Sequence, residues 1–405
     1  VSPLRDALSR ALTAARLRLA AVGDFHGLGP EQSFDLIAIG KAASPMVDAA
    51  LASHGEQLRA GLVVLPDDAP PPLIASSDGR VRVVRAAHPL PDARSVAAGE
   101  AALVLAREGE GSELRVLVSG GASSLAFAPV AGVSLESVRE VTRALLMSGA
   151  DVRATNVVRR HLSRVHGGGL ARAAWPRSCV GAIVSDVIDG AAHDVGSGPA
   201  VADPTTVGDA RAVLARYAPS FAALPLLETM KTHDPESARA TCEIAFEPAH
   251  LARLLADELR RAGYTTRVLA PSTDDVESLA DEYGRLARSL SPGEALVRSA
   301  EPSIRVVHAH PGAGGRCTHV AALVARVLPP ETQFLAAASD GVDGTSETAG
   351  ALVEARSFER ARDALDAAIA AFDSGAFHRT HGTALSIGPT GLNFADVHAL
   401  VRSRA

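Results

Sequence analysis

Ser119-Gly-Gly-Ala-Ser-Ser124 sets three hydroxyls and two glycines, with almost no side-chain bulk, directly behind the apolar run Val116 to Val118. A strand, a small-residue loop and a helix-like segment from about Ser134 make an arrangement that gathers backbone N–H groups and hydroxyls around a phosphate or carboxylate. The same letters also make a tight turn with no ligand. A second run, Asp35-Leu-Ile-Ala-Ile-Gly40, ends in Lys41, and of the 40 basic residues only Lys41 and Lys231 are lysines. Lysine is the compact point charge used on phosphates, and this one stands at a strand's C-terminal end, where ligands bind in open α/β sheets. A solvated lysine at a helix start is the plainer alternative. It is not a Walker A lysine, since that motif needs glycine at 35 and Ser or Thr at 42, where Asp35 and Ala42 stand.

Further along, His310-Pro-Gly-Ala-Gly-Gly-Arg316 brings an arginine to the start of an apolar helix beside three glycines, which suits bidentate carboxylate or phosphate binding. Two turns share one acidic spacing: Asp186 with Asp189, and Asp340 with Asp343. Carboxylates three apart at a strand end can hold magnesium, and the same spacing also makes a turn with a helix cap. Asn156, Arg159, Arg160, His161 and Arg164 form either a grip on a substrate anion or a solvated helix face.

The elements that position these groups follow from hydrophobic periodicity. An amphipathic helix is expected over 1–21, then strands over 35–40, 61–65, 81–84 and 116–118, with a helix over 93–107. Helices follow over 135–149 and 151–165, and a strand over 180–185. Polar residues from 226 to 240 mark the approach to a domain boundary. Beyond it come a helix over 250–262, strands over 266–270 and 304–308, a helix over 320–327, strands over 334–339 and 384–387, and a loop over 388–396 leading into a last helix. Alternating strands and helices argue for a parallel sheet flanked by helices.

With 405 residues, two domains are the default, here 1–235 and 236–405. The apolar fraction of 47% supports a large core, and with 3% aromatics that core must be built from Ala, Val and Leu. A net charge of −6 without a basic run argues against nucleic acid as a partner. Cys179, Cys242 and Cys317 lie far apart with no CxxC, so neither a disulfide framework nor a zinc motif is evident. Arg5, Asp6, Arg10, Arg16 and Arg18 interrupt the first helix too often for a signal peptide. The uncharged stretch from Val116 to Leu135 is too rich in Gly, Ser and Pro for a membrane helix. A cytoplasmic protein without a membrane partner is expected. GxSxG, HExxH and GxGxxG are absent, which counts against a serine hydrolase, a zincin and a dinucleotide fingerprint.

Taken together and in order, Gly40-Lys-Ala-Ala43, Ser119-Gly-Gly-Ala-Ser-Ser124, Ser148-Gly-Ala-Asp151, Arg160-His-Leu-Ser163, Ser185-Asp186, Ser197-Gly-Pro199, Asp203-Pro-Thr-Thr206, Gly314-Gly-Arg316, Ser339-Asp-Gly-Val-Asp-Gly344 and Gly388-Pro-Thr-Gly391 resemble the glycerate 2-kinase family. Its C-terminal part is known as the MOFRL domain, and some members are labelled hydroxypyruvate reductases. The resemblance implies an α/β protein of two domains, a Rossmann-like parallel-sheet N-terminal domain and a smaller α/β MOFRL-type C-terminal domain. It places the active site in the cleft, with closure on binding, and admits a homodimer. It implies transfer of the ATP γ-phosphoryl to the 2-hydroxyl of D-glycerate, giving 2-phosphoglycerate, with magnesium. Lys41 and Arg316 fall on the family's proposed catalytic pair. Ser119, Gly120, Gly121, Ala122, Ser123, Ser124, Asp340, Gly341 and Thr390 are then expected at the nucleotide, and Asp186, Asp189 and Asp343 at the metal.

Two departures bear on the substrate. The family continues its GGR motif with Asn, a variable residue and Glu, where Cys317, Thr318 and His319 stand; its last loop reads Gly-Thr-Asn-Val-Asn-Asp, where Gly391-Leu-Asn-Phe-Ala-Asp396 stands. Both loops are expected to border the site. The alternatives are therefore a kinase for another small sugar acid, a hydroxypyruvate reductase using NAD(P)H, and a non-catalytic sugar-acid sensor.

Overall fold

A computed structural model describes residues 2–23, 28–75, 79–307 and 310–404. The chain divides into two compact units, one made of residues 18–185 and 190–246, the other of 1–17, 186–189 and 247–405.

The first unit is built on strands β1 (Phe34–Ile39), β2 (Leu58–Pro66), β3 (Val81–Ala86), β4 (Glu113–Ser119), β5 (Ser178–Val184) and β6 (Ala240–Phe246). All are parallel, in the order β3-β2-β1-β4-β5-β6. β1 and β4 are buried along their whole length, as a parallel sheet covered on both faces requires. This order reverses direction between β1 and β4, the crevice where Rossmann-like sheets hold ligands. The unit's end at Phe246 differs from a cut after residue 235, because β6 completes the sheet against β5.

Helix α1 (Pro3–Ala21) opens the chain, and α2 (Ala43–His54), α3 (Ala93–Glu108), the single turn α4 (Ala122–Leu125), α5 (Leu135–Met147), α6 (Val152–Leu162), α7 (Gly169–Ala174) and α8 (Val207–Tyr217) follow. Asp92, Ser134, Asp151 and Thr206 cap α3, α5, α6 and α8 with side-chain oxygens on backbone N–H groups. α5, α6 and α8 share a core of Val138, Val141, Leu145, Val158, Leu162 and Leu214, which fixes the rotation of α6.

The second unit contains α9 (Pro248–Arg261), α10 (Val276–Ser289), α11 (Arg316–Ala325), α12 (Arg362–Ala370) and α13 (Ser374–Thr380). Its strands are β7 (Thr265–Val268), β8 (Glu294–Ala300), β9 (Thr332–Ala337), β10 (Gly350–Glu354), β11 (Ala384–Leu385) and β12 (Asp396–Arg402), in the order β11-β10-β9-β12-β8-β7. The sheet is mixed, with β7–β8 the parallel pair.

Four readings change here. The last element is a strand, not a helix: Val397 to Val401 is a buried apolar run wedged between β8 and β9, and such a run has no period that separates helix from strand. Residues 304–307 form no strand, since Val306 and Val307 are exposed without a ladder partner, and His308 lies outside the described residues. β8, for which the sequence reading named no strand, is buried from Ala295 to Ala300. Finally, α1 through Leu17 belongs to the second unit, where its i, i+3, i+4 stripe Leu4, Ala7, Leu8, Ala11, Leu12 and Ala15 is buried. There Arg10 pairs with Glu258 at 2.6 Å, and Arg16 donates to the carbonyls of Pro389 and Thr390. Among the described residues no helix is long and apolar enough to cross a membrane.

Candidate active site

In the first unit the two predicted segments meet at the sheet's reversal. The Lys41 N–H donates to the Gly120 carbonyl at 3.0 Å, and the Ala42 N–H to Ser119 Oγ at 3.0 Å. A Cβ at Gly40, whose φ is +133°, would lie 2.2 Å from Ser119 Oγ, so only glycine permits this approach. Lys41 is exposed and its ammonium makes no ion pair among the described residues. Gly121, at φ +87°, enters α4 in the left-handed conformation. The N–H groups at the start of that turn have no intrahelical acceptor. α4 is a single turn, with no dipole to speak of, so what the loop offers is N–H groups and the hydroxyl of Ser123.

One residue that sequence reasoning passed over joins this loop. His88, after β3, places Nδ1 2.9 Å from Ser124 Oγ, and Ser124 in turn donates to the Gly121 carbonyl at 3.2 Å. A Cβ on Gly121 would lie 3.4 Å from the His88 ring and 3.5 Å from Lys41 Cγ, so the loop, histidine and lysine share one surface. Burial, then the charges of Lys41 and Arg159, depress the His88 pKa and keep the ring neutral at pH 7. Arg159, in the last turn of α6, is half-buried with no ion pair or side-chain hydrogen bond among the described residues, and burial lowers its pKa.

The other cations near it are structural. Arg160 is 2% exposed and lies 3.1 Å from Asp203 and 3.6 Å from Asp194; Arg164 pairs with Glu100; His161 contacts the Val157 carbonyl at 2.8 Å. The anion grip read over 156–164 thus reduces to Arg159. The signal for His88 was position: it follows the C-terminal end of a strand in a parallel sheet.

In the second unit Arg316 is the first residue of α11, one-third exposed. Its Nη1 lies 3.1 Å from Glu301 and its Nε 3.2 Å from Asp396 Oδ2. Asp343, expected at a metal, caps this helix. Oδ1 accepts the Cys317 N–H at 3.0 Å and Oδ2 the Thr318 N–H at 2.7 Å. A Cβ on Gly315 would strike that carboxylate at 2.2 Å. Burial raises the Asp343 pKa against the pull of the two N–H groups.

Asp340 is exposed, accepts the Val342 N–H, and through its carbonyl accepts the Thr390 N–H at 3.0 Å; this brings Gly341 and Thr390 together as one loop pair. The Thr390 hydroxyl, 4% exposed, is taken up by the Ser339 carbonyl and the Leu392 N–H. Asp186 is half-buried and Asp189 exposed at φ +49° on the turn after β5. Among the described residues Asp186, Asp189 and Asp343 do not gather their oxygens into one cluster.

The departures from the family pattern point inward. Cys317 and Thr318 are fully buried, His319 is 3% exposed and stacked on Phe372 at 5.2 Å, and Leu392 and Phe394 are buried.

Residues 4–226 match the family model described as a domain of unknown function (DUF4147), and residues 294–396 match the MOFRL family. A protein of Agrobacterium vitis named "Putative hydroxypyruvate reductase" is 32% identical over 98% of this chain and 93% of its own length. The D-glycerate 2-kinase of Thermotoga maritima is 31% identical over 89% of each chain. The crystal structure of glycerate kinase from Thermotoga maritima superposes with a TM-score of 0.87 at 25% identity, covering 99% of this chain and 98% of that one.

Proposed function

The chain belongs to the glycerate 2-kinase family, and on that footing we propose that it transfers the γ-phosphoryl of ATP to the 2-hydroxyl of D-glycerate, giving 2-phosphoglycerate and ADP. The observation that carries this reading is Lys41, a lysine without an ion pair among the described residues, at the point where a Rossmann-ordered sheet reverses. A kinase of this family needs a nucleotide donor. ATP is the proposed one, entering as its magnesium complex.

Phosphoryl transfer asks for positioning and charge neutralisation more than for covalent chemistry. Lys41 would neutralise charge on the transferring phosphoryl, and Ser119 to Ser124 would donate N–H and hydroxyl hydrogen bonds to phosphate oxygens. Neutral His88 holds Ser124 in place, and Arg159 adds a second cation whose charge no carboxylate among the described residues cancels. Arg316 would hold the substrate carboxylate or the same phosphoryl. Asp340 and Gly341, fastened by Thr390, are assigned to the nucleotide. Asp186 and Asp189 offer the hard oxygen donors that suit magnesium, which commonly binds one or two carboxylates plus phosphates. Asp343 is occupied by the first turn of α11 and serves Arg316 by fixing that turn.

The altered Cys317-Thr318-His319 argues less for a changed substrate than the sequence implied, since all three side chains face the core. A cytoplasmic location is proposed with it, in keeping with three unpaired cysteines. A reductase remains the second reading, because the sheet order is one that dinucleotides use and a relative bears that name. One assay separates the two. Purified protein is given D-glycerate with magnesium and ATP, and hydroxypyruvate with NADH or NADPH. Release of ADP with a phosphorus NMR signal of 2-phosphoglycerate is expected; NAD(P)H oxidation without ADP release would overturn the kinase.

A further inference from the structure

Behind Arg316 lie three side chains that phosphoryl transfer does not call on. Asp396 and His398 are two apart on β12 and so share one face of the strand. Cys317 enters from the first turn of α11. One donor atom from each lies within 4.8 Å of the others, and the residues are 0%, 2% and 1% exposed for Cys317, Asp396 and His398. Three atoms that close leave a point no more than about 2.8 Å from each of them.

Within an apolar core this arrangement is costly as it stands. His398 Nδ1 faces the Tyr283 hydroxyl at 2.9 Å, while Nε2 has no partner among the described residues. Asp396 Oδ1 accepts from Arg316 Nη2 at 3.4 Å, while Oδ2, 3.2 Å from Arg316 Nε, has no hydrogen bond of good geometry among the described residues. Burying such groups unsatisfied costs free energy that a ligand would recover. Thiolate, carboxylate and imidazole nitrogen are a donor set that zinc accepts, at about 2.0–2.3 Å. A metal-bound histidine is oriented by a hydrogen bond on its other ring nitrogen, the place Tyr283 occupies here.

We infer that Cys317, Asp396 and His398 form a binding site for a zinc-like divalent cation, with the fourth position left to a non-protein ligand. On binding, the Cys317 thiol and the Asp396 carboxyl each release a proton to solvent, and His398 donates the Nε2 lone pair. The two anionic ligands cancel the ion's charge, and Arg316 keeps Glu301 as its counter-ion. The ion would tie the first turn of α11 to β12. Sequence spacing hides the site, because its ligands come from a helix and a distant strand.

The test uses the whole chain, produced with zinc in the medium, and does not involve kinase activity. Elemental analysis should find close to one zinc per chain, and Cys317→Ser should lower this to about a tenth or less. Cys242→Ser, a thiol in the other unit, should leave it unchanged. Cobalt(II) alone, added to chelator-treated protein, should give a thiolate-to-cobalt charge-transfer band in the near ultraviolet. Less than about a tenth of an equivalent of zinc in the unaltered protein overturns the site, as does unchanged zinc in Cys317→Ser. Were the serine variant to fail to fold, the cobalt spectrum of the unaltered chain decides, and bound cobalt without that band overturns the assignment.

Discussion

Lys41 and Arg159 are cations of different kinds, and the difference sets what each substitution should do. Lys41 is an exposed point charge beside the serine-glycine loop. If it acts on the transferring phosphoryl, Lys41→Ala removes an interaction strongest in the transition state. We expect kcat to fall by about 10²–10³-fold with the fold intact, measured as ADP release alongside a circular dichroism spectrum. A variant with near-normal kcat would refute the role. Arg159 is half-buried and has no ion pair among the described residues, so replacing it by the uncharged Met keeps much of its packing and removes the charge-assisted hydrogen bonds it would give a bound anion. Those are worth about 1.5–3 kcal/mol, or roughly 10–100-fold in KM for the nucleotide or the acid. Which KM moves identifies the anion that Arg159 holds; an unchanged KM for both would remove it from the site. Lys41 was legible from its rarity and its glycine context. Arg159 was not, because in sequence it is one of three arginines, and only the ion pairs of Arg160 and Arg164 single it out.

At the scale of the element, α11 shows how a motif is held. Gly315 must lack a side chain because the Asp343 carboxylate lies against it, and that carboxylate accepts the N–H groups of Cys317 and Thr318. Asp343→Ala leaves two buried donors without acceptors. It should destabilise the chain by about 2 kcal/mol, seen as a lower urea midpoint, and should raise KM for the acid through displacement of Arg316. Stability equal to that of the unaltered chain would show that the cap is dispensable. The aspartate's spacing from Asp340 matched both a metal turn and a helix cap. Sequence could not choose between them, because the acceptor's partners, Cys317 and Thr318, are distant in the chain. β12 was misread for a related reason: a buried apolar run takes its form from the strands beside it.

For the whole molecule, the buried histidines set the response to acid. His166 and His378 are held neutral, with pKa values pushed down to about 3 and about 4 by burial, His166 also by the charges of Arg159 and Arg160. Unfolded, each takes up a proton near pH 6.5. Their contribution to stability is therefore complete above pH 6.5 and is lost as pH falls toward 3–4, at about 1.4 kcal/mol per pH unit for each histidine. Urea unfolding across this range should show that slope, and His166→Gln should lessen it by about one proton's worth. A slope unchanged by the substitution would mean that His166 is already protonated in the folded state.

The sequence by itself determined the α/β class, the strands that carry Lys41 and the serine-glycine loop, and the family, because strand runs, glycine turns and capping residues are local and their physics is local. It also required a core of Ala, Val and Leu, which is what fills both units. Only the tertiary structure decided what depends on distant partners. It placed α1 with the second unit through Glu258 and the Pro389–Thr390 carbonyls, and it turned Asp343 into a cap. It separated one unpaired arginine from its paired neighbours, and it brought Cys317 beside Asp396 and His398. Each of these is a pairing across many residues, and a pairing leaves no period in a sequence.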